Sequence, residues 1–128
     1  MKKIAVLGGG ESGVGAAVLA KVKGFEVFLS DMGMLKDEAR STLSKYDVEF
    51  EEGGHTASRI LDASEIIKSP GIPDTAPLII EARAAGIPVI SEIEFAGRYD
   101  TAKKICITGS NGKTTTTSLI YYLLKQVI

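Results

Sequence analysis

The sequence predicts an α/β fold, a parallel sheet with helices on both faces, and three observations carry that prediction. Short apolar runs alternate with segments of helical periodicity from Ile4 to Tyr99. Glycines stop two of the helical segments, at Gly24 and Gly86, where a left-handed C′ residue belongs. The first apolar run ends in Gly8-Gly9-Gly10, as a buried parallel strand leading into a tight turn should.

Ile4 to Leu7 is the first strand, and Val14, Ala17, Val18 and Val22 then recur at helical spacing. Phe25 to Leu29 is a second strand ending at Ser30-Asp31, followed by an amphipathic helix carrying Leu35, Ala39, Leu43 and Tyr46. Val48-Glu49-Phe50 is a brief third strand, and Thr56 is placed to cap a short helix with Ile60 and Leu61. Glu65 to Lys68 is a fourth strand, closed by Ser69-Pro70-Gly71-Ile72-Pro73. Pro77 to Ala85 reads as a helix, Ile87 to Ile90 as a fifth strand, and Glu92 to Tyr99 as a helix or helical connector. Strands alternating with helices in this way build a parallel sheet.

The 128 residues suit one domain with a real core, and 45% apolar with 24% charged residues are ordinary globular values. A net charge of −1 gives no electrostatic case for nucleic acid or an anionic membrane. Met1-Lys2-Lys3 leads into too short an apolar run for a signal peptide or a membrane span, so a cytoplasmic location is expected. The single cysteine, Cys106, reads as a small buried hydrophobe. His55 has no second ligand nearby and reads as a loop residue, while Glu51-Glu52 and Glu92/Glu94 read as solvated faces.

Gly8-x-Gly10-x-x-Gly13 follows a strand, opens a helix, and is succeeded by Asp31 at the end of the next strand. That is the pattern of a Rossmann-like nucleotide-binding half, with an acid placed for a ribose or base edge. Ser12 is open to two roles, helix N-cap or phosphate donor, and Asp31 to two, turn cap or ligand contact. The Ser69–Pro73 turn lies at the carboxyl end of its strand, on the same rim, either as a strand exit or as a close approach to ligand. An NAD(P)-binding oxidoreductase domain is the alternative reading of the glycine pattern.

A second motif follows. Thr108-Gly109-Ser110-Asn111-Gly112-Lys113-Thr114-Thr115 lies between an apolar run, Lys104-Ile105-Cys106-Ile107, and a helix-like run to Val127. Glycines let amides wrap phosphates, the lysine meets the outer phosphates, and Thr114 offers a hydroxyl to Mg²⁺. Ile107 stands where the first glycine of the full P-loop spacing belongs, and an ordinary strand–turn–helix corner is the competing reading. Only 13 residues follow Thr115, so the expectation is a first domain over 1–97, a linker over 98–103, and over 104–128 the first strand–loop–helix of a truncated second domain.

Together these motifs resemble the Mur ligase family. The resemblance runs through Val6-Leu7-Gly8-x-Gly10-x-Ser12-Gly13, Asp31, Lys68-Ser69-Pro70-Gly71-Ile72-Pro73, Gly86-Ile87-Pro88-Val89-Ile90-Ser91-Glu92-Ile93-Glu94 and Ile107 to Thr115. The Ser-Pro-Gly-Ile and Gly-Ile-Pro-Val-Ile-x-Glu-Ile-Glu stretches point to the D-glutamate-adding branch. The resemblance implies a ligase of peptidoglycan synthesis that uses ATP and Mg²⁺ to join D-glutamate to UDP-N-acetylmuramoyl-L-alanine. It implies that Asp31 bonds the uracil, that Glu11 and Ser12 lie against the diphosphate, and that Gly71 contacts the nucleotide by its main chain. Gly109, Ser110, Asn111, Gly112, Lys113, Thr114 and Thr115 would hold the ATP phosphates, with Thr114 on Mg²⁺. Met32-Gly33 departs from the small polar and basic pair that often follows the uracil-binding acid in the family. The 128 residues alone are expected to be inactive, and the apolar face of 114–128 is expected to pair with a second copy.

Overall fold

The computed structural model describes residues 2–99. The P-loop motif, its flanking strand and helix, Cys106 and most of the expected linker lie outside the described residues. Chain order is β1 (Lys3–Leu7), α1 (Glu11–Val22), β2 (Glu26–Ser30), α2 (Asp37–Lys45), β3 (Glu49–Glu51), α3 (Ala57–Ile60), β4 (Glu65–Lys68), α4 (Pro77–Ala84), β5 (Val89–Ser91) and α5 (Glu92–Gly97).

Among the described residues all the strand pairs are parallel and the sheet order is β3-β2-β1-β4-β5. The chain builds outward from β1 to β3, then crosses back to lay β4 on the other side of β1. Connections therefore leave β1 and β4 in opposite directions, which opens a crevice at their carboxyl ends.

Side-chain alternation sorts the core into two layers. Ile4, Val6, Val27, Leu29 and Ile67 face one way and pack with α1, α2 and α5. Ala5, Leu7, Phe28 and Ile66 face the other way, onto Ile60 of α3 and Ile79 and Ala82 of α4. Helices thus cover both faces, as the apolar runs require. Along α1 every residue from Gly13 to Ala20 is buried, whereas Leu43 is the one buried residue of α2. Truncating Leu43 would therefore cost α2 its anchor, about 2–5 kcal/mol.

Three helices stop in the same way. Phe25 N–H donates to Ala20 O and Gly24 N–H to Lys21 O, with Gly24 at φ 94°. Ile87 and Gly86 repeat this on Ala82 and Arg83. At α2 the left-handed residue is Asp47, φ 57°, with Val48 N–H on Leu43 O. The glycine stops were legible in sequence; an aspartate in that conformation was not.

Two local expectations change. α1 starts at Glu11, with Gly10 rather than Ser12 as its N-cap. Thr56 occupies the N-cap position of α3 but its side chain makes no cap bond: the Arg59 and Ile60 N–H groups bond to the Thr56 backbone carbonyl, and the hydroxyl donates to Glu51.

Candidate functional site

Strand register lines up the carboxyl end of the sheet. Ser30 pairs with Glu51 and with Leu7, Leu7 with Lys68, and Lys68 with Ser91. The next residue of each strand, Gly8, Asp31, Ser69 and Glu92, therefore falls on one rim.

The glycine turn is built by close approach. Gly8 has φ 105°, and a Cβ there would lie 2.8 Å from the Ser69 Cβ. A Cβ on Gly13 would overlap the Gly8 carbonyl oxygen, so α1 crosses β1 with no room for a side chain. Glycine at both positions is a steric requirement of the turn.

Above that crossing, α1 begins without a side-chain cap. Val14 N–H is the first to bond back, to Gly10 O at 2.9 Å. Among the described residues, the N–H groups of Glu11, Ser12 and Gly13 receive no acceptor. Unanswered amides and the helix dipole together favour an anion. Glu11 is exposed and Ser12 half-buried at this turn.

Asp31 joins two loops. Its Oδ2 accepts Gly9 N–H at 2.7 Å and its Oδ1 accepts Gly33 N–H at 2.8 Å. Both turn-capping and ligand contact remain chemically open to it, since each carboxylate oxygen keeps a free lone pair. Met32 and Met34 flank it at 65% and 71% exposure, an apolar lip on the rim.

Across the crevice, the Lys68 ammonium donates to Ile72 O at 2.7 Å and stands 3.7 Å from an Asp74 oxygen. That bond folds the Ser69–Pro73 turn onto its strand. Gly71 is exposed, and among the described residues its N–H is held only by a 3.4 Å contact with Ser69 Oγ. Structure therefore brings Glu11, Ser12, Asp31 and Gly71 to one rim. The ATP and Mg²⁺ candidates, Gly109 to Thr115, lie outside the described residues. Among the described residues no group of three or more His, Cys, Asp or Glu side chains could hold a metal ion.

The glutamates expected as solvated faces are mostly not. Glu92 is 2% exposed. Its Oε1 would stand 3.7 Å from a Cβ on Gly13, directly behind the glycine turn. Burial raises its pKa, and the Ser12 hydroxyl bond and the Lys68 charge pull it back down without cancelling that rise. Its position just after a strand was the signal that sequence reading passed over.

Glu51 and Glu52 serve the β2–β3 corner. Glu51 accepts Ser30 Oγ–H at 2.8 Å and Thr56 N–H and Oγ1–H at 2.6 Å each. Burial raises its pKa, but the bonds from Thr56 and Ser30 and the charge of Arg59 outweigh it and hold it below the ordinary glutamate value. Glu52 accepts Leu35 N–H and Arg40. His55 Nδ1 lies 2.6 Å from Ser30 Oγ. The Ser30 proton goes to Glu51, so Nδ1 donates and the hydroxyl accepts.

A cavity of about 270 Å³ lies at the amino ends of the strands, lined by Lys2, Phe25, Glu65, Pro88 and Arg98 among others. Arg98 fills its charge need with Glu65. None of the rim residues reaches it, so the open crevice, not this cavity, is the candidate site.

The family model described as the MurD N-terminal domain matches residues 3–77. A UDP-N-acetylmuramoylalanine–D-glutamate ligase of Bacteroides thetaiotaomicron is 66% identical over 126 residues, covering 98% of this chain and 28% of the relative. The same-named protein of Cytophaga hutchinsonii is 51% identical over 128 residues, again 28% of its length. This chain thus spans little more than a quarter of these relatives. Among solved structures, UDP-N-acetylmuramate-alanine ligase MurC from Thermotoga maritima superposes with a TM-score of 0.69 at 27% identity, over 99% of this chain and 30% of that one. A murein peptide ligase from Psychrobacter arcticus gives the same TM-score at 20% identity, over 77% of this chain and 20% of that one, which shows the shared fold. With the family model covering more than half of its length, the chain belongs to the MurD N-terminal domain family.

Proposed function

We propose that this chain is the part of a D-glutamate-adding ligase that holds the uridine diphosphate end of UDP-N-acetylmuramoyl-L-alanine. The observation that carries the proposal is the uncapped first turn of α1, facing the Ser69–Pro73 turn across the β1–β4 crevice. The diphosphate lies against the amides of Glu11 and Ser12, the uracil against Asp31, and the Gly71 N–H approaches from the opposite side. Met32 and Met34 supply apolar surface beside the base.

In the whole protein, ATP with Mg²⁺ supplies phosphorylation of the substrate carboxylate to an acyl-phosphate, which the amine of D-glutamate then converts to an amide. Gly109, Ser110, Asn111, Gly112, Lys113, Thr114 and Thr115 are the candidates to hold ATP, by sequence motif. Such positioning and charge neutralisation is what phosphoryl transfer asks of a protein. The setting is a cytoplasmic step of cell-wall biogenesis. Among the described residues no helix is long and apolar enough to cross a membrane.

Adding UDP-N-acetylmuramoyl-L-alanine should shift the amide NMR signals of Gly8–Gly13, Asp31 and Gly71. Affinity should be micromolar to millimolar, on the order of −4 to −8 kcal/mol. Shifts elsewhere, or the same shifts with NADH and none with the uridine nucleotide, would overturn the assignment. The 128 residues alone should release no phosphate from ATP when both substrates are supplied. Light scattering on 1–128 against a form ending near Tyr99 tests self-association through 114–128.

A further inference from the structure

Lys68 ends β4 with a side chain only 15% exposed, a costly place for an ammonium. Alternation along β4 puts it on the face of Ile66, and it pairs with Leu7, so it stands on the α4 side of the sheet. The first turn of α1, where the diphosphate is proposed to lie, is on the other side. We propose that Lys68 is a positioning residue for the nucleotide, its ammonium holding the Ser69–Pro73 turn so that the Gly71 N–H is presented to the crevice. The inference rests on the nucleotide site proposed above.

The turn has two fixed ends and a soft middle. At its start Ser69 N–H donates to Leu7 O at 3.0 Å, and the Ser69 Cβ lies 2.8 Å from where a methyl on Gly8 would stand. At its end the Lys68 ammonium donates to Ile72 O at 2.7 Å and also reaches Ser69 O at 3.4 Å. One cation thus gathers the carbonyls on either side of Pro70-Gly71. Pro70 and Pro73 have fixed φ, which leaves Gly71 as the permissive joint. Ile72 N–H on Ser69 O at 3.1 Å and Gly71 N–H on Ser69 Oγ at 3.4 Å also cross the turn. Those bonds are neutral, and a charged donor makes the stronger one. Asp74 adds little. It stands 3.7 Å from Lys68 and 3.2 Å from Arg83 of α4, but is 72% exposed.

Without the ammonium, Ile72 O is left to water and Gly71 is free to take up other conformations. Binding then has to re-form the turn, and apparent affinity falls by the fraction of time the turn is in place. The coupling is reciprocal: if the held turn favours the nucleotide, the nucleotide favours the held turn.

The test is titration calorimetry of the 128-residue chain with UDP-N-acetylmuramoyl-L-alanine. Lys68→Met keeps an unbranched stem without the charge, and Lys68→Arg restores a charged donor. Lys68→Met should weaken binding on the order of tenfold, as a turn in place a tenth of the time would, and Lys68→Arg should recover most of the loss. Amide NMR separates positioning from general loosening. In Lys68→Met the ligand-induced shift of Gly71 should shrink, while Glu11–Gly13 and Asp31 keep theirs. Equal affinity in Lys68→Met, or a loss of shifts spread evenly over the rim, overturns the proposal. The parent chain supplies a measurement that needs no variant. Saturating ligand should slow acetylation of Lys68 by acetic anhydride several-fold, because the turn stays closed over it, and leave Lys23 at the far end of α1 unchanged. An unchanged Lys68 rate is equally fatal. If the ligand shifts Gly71 in the parent and Lys68→Met binds as tightly, this inference alone fails. If the ligand leaves Gly71 unshifted in the parent, the nucleotide site loses that wall as well.

Discussion

Two corners of the same sheet edge handle their polar groups in opposite ways. At the β2–β3 corner each donor meets an acceptor: Ser30 with Glu51, Thr56 with Glu51, Leu35 N–H and Arg40 with Glu52, His55 with Ser30. At the β1–β4 crevice the first-turn amides of α1 meet no acceptor among the described residues, and Gly71 N–H is barely held. Saturated polar groups stabilise a fold; unsaturated ones at a strand's carboxyl end are left for something that arrives later. On this contrast the first corner is structure and the second is the proposed site.

The sharpest way to break the contrast is Gly13→Ala. Its new methyl must displace the Gly8 carbonyl, so unfolding stability should fall by about 3 kcal/mol or more, read by urea denaturation. A loss under about 1 kcal/mol would mean that the crossing is not rigid. Next is Asp31→Ala, which belongs to both corners. It leaves Gly9 and Gly33 N–H without an acceptor and should weaken uridine nucleotide binding by roughly 1.5–3 kcal/mol, measured by calorimetry. Equal binding would confine Asp31 to holding loops.

Glu51→Gln should separate the corners most cleanly. The glutamine oxygen can still accept from Ser30 and Thr56 N–H, but the Thr56 hydroxyl loses its acceptor and the charge that strengthens all three bonds is gone, which costs about 1–3 kcal/mol of stability while nucleotide affinity stays put. Changed affinity would erase the distinction. The pH dependence sharpens it further, because the two glutamates have opposite signs. Glu51 has a lowered pKa, so its stabilisation is present above the unfolded glutamate value and is lost as pH falls through the lower folded one. Glu92 has a raised pKa, so its contribution is full below the unfolded value and is lost as pH rises through the higher folded one. Stability profiles of Glu51→Gln and Glu92→Gln should therefore flatten on opposite sides, the first on the acid side. The smallest effect is His55→Ala, under about 1 kcal/mol, since Ser30 keeps its bond to Glu51.

The fold and the glycine turn were legible because buried parallel strands and tight turns leave local marks. Ile4–Leu7 is apolar on both faces, and only glycine fits where Gly13 meets Gly8. Even the three-residue strand Glu49–Glu51 was visible, placed one residue early. What stayed hidden depends on partners distant in sequence. Glu92 looks like any surface glutamate until α5 packs on α1, and Glu51 looks idle until Ser30 and Thr56 reach it. Thr56 misled for the same reason: its hydroxyl reaches across the corner to Glu51, while its own backbone carbonyl takes the Arg59 N–H that a side-chain cap would accept.

The pairing of β1 with β4 carries one more consequence, for the order in which the molecule assembles. Helix stops at Gly24, Asp47 and Gly86 close over a handful of residues, and β1 meets β2 after a single helix. By contrast Ile4 must find Glu65, the longest loop the sheet has to close and the last its entropy favours. The crevice exists only once that strand is home. A nucleotide bound as proposed above would recognise the finished sheet and none of its precursors, so its presence should slow unfolding and hold the β4–β5 half in place.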